Sequence, residues 1–290
     1  MFKSFKTFVL LALLSGLILL AGQAIGNRGG LMIALGLALA MNVGSYWFSD
    51  KLAIKMARAQ EASPQEYPWY HSMVSELALK TGQPMPRLFV SPSPQPNAFA
   101  TGRNPSHAAV CVNQGLIDML DRDEMEGVLA HELSHVFNRD ILIGTIAATL
   151  ATAITFLARF AFFFGGGRDR EGGPIAQLAL VLLAPIAAML IQFAVTRSRE
   201  TQADASGAQL SGKPLALASA LQKLEAGGKQ RIRMGGTPAE TSPAFSQLYI
   251  SAPFGGAVTR GMSSLFRTHP KTEDRVANLH EIARSMGQIG

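Results

Sequence analysis

Four apolar runs limit what this chain can fold into more than any other feature: Phe8 to Ile25, Leu31 to Phe48, Ile141 to Phe164 and Pro174 to Val195. Each is close to the roughly 20 residues that a helix needs to cross hydrocarbon. Only "GNRGG" separates the first two and only "GGGRDREGG" the last two, so each pair reads as a tight helical hairpin with a glycine-rich tip. The alternative, buried core helices of a soluble protein, fits poorly with a chain that is 48% apolar and 16% charged. Lys3 and Lys6 before the first run also resemble the start of a secretory signal peptide, whose removal would leave the orientation of the rest unchanged.

Basic residues then set the sidedness. Lys3 and Lys6 precede the first span, Lys51, Lys55 and Arg58 follow the second, and Arg197 and Arg199 follow the fourth, which predicts cytoplasmic flanks and outward-facing hairpin tips. Both termini and both polar segments, 49–140 and 196–290, then lie on the cytoplasmic side. The net charge of +6 is dispersed, without an aromatic-interleaved basic run, so it reads as membrane-proximal and no nucleic-acid partner is expected. The single cysteine, Cys111, excludes an internal disulfide and leaves histidine and carboxylate as the metal ligands available.

The polar segments have globular texture. Residues 67–80 suggest an amphipathic helix, "RLFVSP" and "HAAVCV" short strands, and "GLIDML" another helix. Asp121 with Glu124 three later resembles a capping box opening a helix that runs through His135. Residues 197–225 read as helical, and the breaker-rich stretch 226–262 as a long mobile loop.

On the helix that ends at His135 stands "HELSH". His131 and His135, four apart, share a face and can offer two imidazole nitrogens to one ion, with Glu132 beside them. The bland alternative is two surface histidines on a helix. A catalytic zinc needs a third protein ligand, and the second hairpin supplies one. His135 lies six residues before the third span and Glu200 five after the fourth, so antiparallel spans bring both to one depth. Asp204, one turn beyond Glu200, is placed to accept the outer N–H of a ligating histidine. Asp140 competes for that role, and either carboxylate could instead cap a helix or pair with Arg139. With zinc on His131, His135 and Glu200, Glu132 is the expected general base of peptide hydrolysis.

These residues resemble the membrane zinc metalloproteases of the HtpX type, relatives of the CAAX prenyl endopeptidases. The resemblance runs through "VLAHELSHVFNRD", "SRETQADASGA" and "LFRTHPKTEDRVANL" and extends over nearly the whole chain. It implies a mainly α, polytopic membrane protein with four transmembrane helices in two hairpins, 1–48 and 141–195, and a cytoplasmic α+β zincin-like catalytic domain with a small sheet. It also implies one Zn²⁺ per chain, with Glu200 as third ligand. In "PNAFATG" it implies an edge strand near the site, with Asn97 holding substrate backbone; the alternative is an Asn in a Pro-rich turn. It places His269 and Arg275 near the site, His269 donating to the developing oxyanion and Arg275 pairing with Asp140 or Asp204. Alternatively "THP" starts the last helix, with Thr268 as its cap. His71, His107 and His280 have no motif around them and read as structural or exposed. The function implied is an endopeptidase of a bacterial inner membrane, acting on membrane proteins or other polypeptides in quality control. The rivals are a prenyl-peptide endopeptidase and a non-catalytic, metal-stabilised membrane scaffold. Partners beyond substrate and bilayer, and an oligomeric state, have no signal in the sequence.

Overall fold

The structure, a computed structural model, describes residues 53–140, 173–233 and 270–289, with residues 47, 50, 51, 143, 144, 147, 151, 154 and 155. The chain divides into two compact units. One comprises Met1–Tyr46, Leu142–Ser198 and Ser264–Arg267; the other comprises Trp47–Ile141, Arg199–Ser263 and Thr268–Gly290. Apart from Trp47, the expected spans 8–25 and 31–48 lie outside the described residues, as does most of 141–164. Among the described residues no helix is long and apolar enough to cross a membrane.

The second unit is built on a four-stranded mixed sheet, β1 (Gln60–Glu61), β2 (Arg87–Ser91), β3 (Ala98–Gly102) and β4 (Ala108–Asn113), in the order β1-β2-β4-β3. β2 runs parallel to β4, whereas β1 on β2 and β3 on β4 are antiparallel. Side chains alternate between the faces. Leu88, Val90, Ala98, Ala100, Val110 and Val112 enter the main core, while Phe89, Phe99, Ala109 and Cys111 join a smaller cluster with Ala53. Burial on both faces explains the continuous apolar reading of "RLFVSP" and "HAAVCV".

The helices are α1 (Pro68–Thr81), α2 (Gln114–Ile117), α3 (Arg122–Phe137), α4 (Gly173–Ser211), α5 (Pro214–Arg233) and α6 (Thr272–Ser285). Val74 and Leu77 of α1, Leu129 and Leu133 of α3, Leu217 and Leu221 of α5 and Leu279 of α6 meet in the main core. Each fully buried Leu or Val stabilises the fold by about 1.5–3 kcal/mol relative to exposure.

Three boundaries differ from the sequence reading. The helix expected over 197–225 is two helices: Gly212, at φ 71°, ends α4 in the left-handed conformation and Pro214 opens α5. Residues 226–233, expected to begin a loop, are helical instead, because α5 runs through Gly227 and Gly228 to Arg233. There the packed stripe of Leu217, Leu221 and Leu224 outweighs the low helix propensity of glycine. Residues 234–262 lie outside the described residues. The last helix begins at Thr272 behind Lys271, so Pro270 precedes its first turn and Thr268 is not its cap.

Candidate metal centre

α3 carries "HELSH" through the core. Its start is fixed by a closed capping box: Glu124 N–H donates to Asp121 Oδ1 at 2.9 Å and Asp121 N–H to Glu124 Oε2 at 3.0 Å. Lys223 and Ser219 of α5 also donate to Glu124, at 2.6 and 2.7 Å, tying the capped end to the next helix. Eleven α3 residues are buried, His131, Glu132 and Ser134 among them, so the helix lacks the one-sided pattern of a surface helix. α4 crosses α3 closely at Gly207, where a Cβ would lie 2.8 Å from the backbone N and Cα of His131. That approach puts Glu200 and Asp204 of α4 against the histidines.

His131, His135 and Glu200 each offer one ligand atom to a single point. His135 Nε2 is 3.2 Å from His131 Nε2 and 3.4 Å from Glu200 Oε1, and His131 Nε2 is 3.8 Å from Glu200 Oε2. An ion with tetrahedral bonds near 2.0–2.1 Å sets its ligands about 3.3–3.4 Å apart. The two distances at His135 Nε2 are near that spacing, and His131 Nε2 meets the other Glu200 oxygen at 3.8 Å, so the donor set suits a small divalent ion. The donor chemistry agrees. Both Nδ1 atoms face carboxylates, Asp204 Oδ1 at 3.0 Å from His131 and Asp140 Oδ2 at 2.8 Å from His135. His135 Nδ1 is hydrogen-bonded to Asp140, whereas His131 Nδ1 lies within reach of Asp204 without the alignment of a hydrogen bond. With the Nδ1 protons on that side, the two Nε2 lone pairs and the Glu200 carboxylate converge, an arrangement that a cation stabilises.

Each aspartate is held in turn by an arginine. Arg275 grips Asp204 with two bonds, Nε to Oδ2 at 2.7 Å and Nη2 to Oδ1 at 2.6 Å, and its Nη1 is 3.6 Å from Glu200 Oε2. Arg199 pairs with Asp140 and also donates to Gln202 Oε1 at 3.0 Å and to the Asn138 carbonyl at 3.4 Å. Asp140 and Asp204 therefore serve different histidines rather than competing for one, and Arg275 selects Asp204. Burial pushes the Asp204 carboxyl up, but Arg275 and then His131 bring it down to about 2. Burial opposes charge on His135, yet Asp140 and Glu200 outweigh it and raise its pKa. Four carboxylates, Glu132, Asp140, Glu200 and Asp204, are buried against two guanidinium groups, Arg199 and Arg275. Carboxylates thus outnumber guanidinium groups there, an imbalance that a divalent cation relieves when the imidazoles are neutral.

Glu132 is buried beside the cluster, and burial, followed by the nearby Glu200, raises its pKa against the pull of the histidines. Its Oε2 accepts the Ala100 main-chain N–H at 3.0 Å, which ties the helix to β3. Asn97 is buried just before β3, and its carbonyl accepts Asn113 N–H at 2.9 Å. His269 lies outside the described residues. The remaining histidines are structural: His71 Nε2 meets the Ala62 carbonyl at 2.7 Å, His107 Nδ1 meets Asn104 Oδ1 at 2.9 Å, and His280 Nδ1 meets the Val276 carbonyl at 2.8 Å.

The family model described as "Peptidase family M48" matches residues 64–283. The chain belongs to peptidase family M48. It is 50% identical over 289 residues to the Protease HtpX homolog of Persephonella marina, covering 98% of this chain and 99% of that one. To the Protease HtpX homolog of Ralstonia pickettii it is 49% identical over 288 residues, with 98% of each chain covered. Among solved structures it resembles Ste24p of S. mikatae with a TM-score of 0.55 at 22% identity, a likeness of fold. That match covers 96% of this chain but spans only 64% of Ste24p.

Two features of this M48 chain were not read from its sequence. The sequence marks Arg199 only as one of the basic residues flanking the fourth apolar run, because nothing local shows that its side chain turns toward Asp140. Gly207 carried no signal beyond being a glycine inside a helical run, which by itself marks a possible close approach.

Proposed function

We propose that the protein is a membrane-anchored zinc endopeptidase whose catalytic unit faces the cytoplasm. The observation that carries this is the cluster of buried His131 and Glu200 with half-buried His135, and buried Glu132 alongside it. When bound there, zinc supplies Lewis acidity to a water molecule and to a peptide carbonyl. His131, His135 and Glu200 hold it, and the Asp204–Arg275 and Asp140–Arg199 pairs orient the two rings. Glu132 takes a proton from the attacking water and passes it to the departing amine, so the C–N bond breaks to acid and amine. A purely structural metal site has no use for Glu132, which disfavours the scaffold reading.

The relatives named as HtpX homologues support a protease of this kind. Leu182, Leu183, Ile186 and Met189 support the anchor: they lie on one face of α4 and are 42–62% exposed, as lipid-facing side chains would be. Membrane proteins and other polypeptides with segments in the cytoplasm are the substrate class, and bacterial inner-membrane quality control is the setting this implies. Glu132→Gln is expected to retain zinc while slowing cleavage of a model membrane protein about 10²–10⁴-fold; full cleavage would sink the mechanism. A reporter fused after Gly290 is expected to read cytoplasmic, and an external reading would overturn the orientation.

A further inference from the structure

The segment that follows the second apolar run carries cations on a face of its own. Residues 47, 50, 51 and 53–56 are helical. Ala53, with Ile54 and Ala57 beside it, packs against Phe89, Phe99, Ala109 and Cys111 of the sheet. Trp47, Lys51 and Lys55, spaced by four, form one stripe on that helix, and all three are exposed, Trp47 by 50%. Arg58 is exposed just beyond it. Asp50 is the one acidic residue from 47 to 59, and Arg87 holds it at 2.7 Å. Arg103 comes from another part of the fold, directly after β3, and lays its guanidinium over the Trp47 ring, 4.3 Å from the centroid.

Basic residues beside an apolar run mark the cytoplasmic end of a span, so Lys51, Lys55 and Arg58 alone say only which way the chain crosses. Arg103 flanks no apolar run, and its seat on an exposed indole is not an orientation signal. We infer that Trp47, Lys51, Lys55, Arg58 and Arg103 form a docking surface for the anionic phospholipid headgroups of the bilayer, holding the catalytic unit against the membrane that carries its substrates. The inference rests on reading the chain as membrane-anchored. The surface is both cationic and apolar, for Met56 is exposed beside the stripe as well. That mixture suits the boundary between headgroups and acyl chains, where an indole settles with its ring in apolar surroundings and its N–H among polar groups. Each Lys or Arg near an anionic leaflet favours association about five-fold, and the planar fork of arginine matches phosphate.

The test uses the full-length protein in vesicles of phosphatidylcholine and phosphatidylglycerol in equal parts, one or the other brominated, with Trp69→Phe leaving Trp47 as the only indole. Brominated phosphatidylglycerol is expected to quench Trp47 at least about two-fold more than brominated phosphatidylcholine. Salt at about 1 M, with a Debye length of about 3 Å, should abolish the excess. Arg103→Gln leaves the lysines that flank the span in place and should remove at least about half of it. In these vesicles Arg103→Gln should also cut a model membrane protein about five-fold more slowly, while cutting a soluble polypeptide in detergent at the wild-type rate. Equal quenching by the two lipids overturns the inference, as does an Arg103→Gln protein that keeps both cleavage rates or loses both alike. Should Trp69→Phe fail to fold, amine-reactive labelling of the unaltered protein decides it. Phosphatidylglycerol in the vesicles should protect Lys51 and Lys55 where phosphatidylcholine alone does not. Equal labelling in both contradicts the docking, and protection by soluble polyglutamate in place of phosphatidylglycerol assigns the surface to an acidic polypeptide and overturns it equally. Release of the protein from membranes by alkaline carbonate is a separate result, which refutes the anchor itself.

Discussion

Each histidine of the candidate metal centre backs onto a chain of buried groups, His131 onto Asp204 and Arg275 and His135 onto Asp140 and Arg199, so under the proposed function ring orientation is set two residues away from the metal. Carboxylates behind a metal-bound imidazole typically change metal affinity 10–100-fold when lost, and an arginine that fixes such a carboxylate acts through it. Arg199→Ala should therefore weaken zinc binding about ten-fold, measured by competition with a chromophoric chelator. Arg199→Lys should restore only part of it, because lysine lacks the planar fork; unchanged affinity in Arg199→Ala would remove the arginine from the site. At this scale much was legible. The spacing in "HELSH" and the one-turn step from Glu200 to Asp204 are fixed by helix geometry. The partner of Asp140 was not: the sequence offers Arg139 or Arg275, and Arg199 reaches it only through the crossing of α3 and α4.

The element that assembles the site is α4 seated on α3, and Gly207 sets how closely it sits. Gly207→Ala forces a methyl group against the His131 backbone and should destabilise the protein by about 1–3 kcal/mol. Because the displaced helix carries Glu200 and Asp204, zinc content should fall together with the melting temperature. Wild-type values for both would show that the backbones have room to part. α1, β2, β4 and α3 were legible from period and caps, for the closed Asp121–Glu124 box leaves little ambiguity. α5 was extended too little. Gly227 and Gly228 look like breakers locally, and only the burial of Leu217, Leu221 and Leu224 against neighbouring helices keeps that stretch helical. β1, two residues long, has no periodicity to read and exists through its pairing with β2.

For the whole molecule, sequence separation is the organising fact: the two halves of the metal centre, around His131 and Glu200, lie on opposite sides of the apolar runs at 141–164 and 174–195. The hairpin expected there from the sequence would join them, and family membership with near-complete coverage accords with a chain organised as one enzyme. The arginine pairs and the helix crossing were illegible because each depends on tertiary contacts that no local pattern encodes. The most direct test of the account is zinc per chain in the purified full-length protein beside Glu200→Ala and Glu132→Gln. The account predicts about one zinc in the wild type and in Glu132→Gln, with strong loss in Glu200→Ala, since a catalytic zinc needs three protein ligands. Full zinc retention in Glu200→Ala would contradict it.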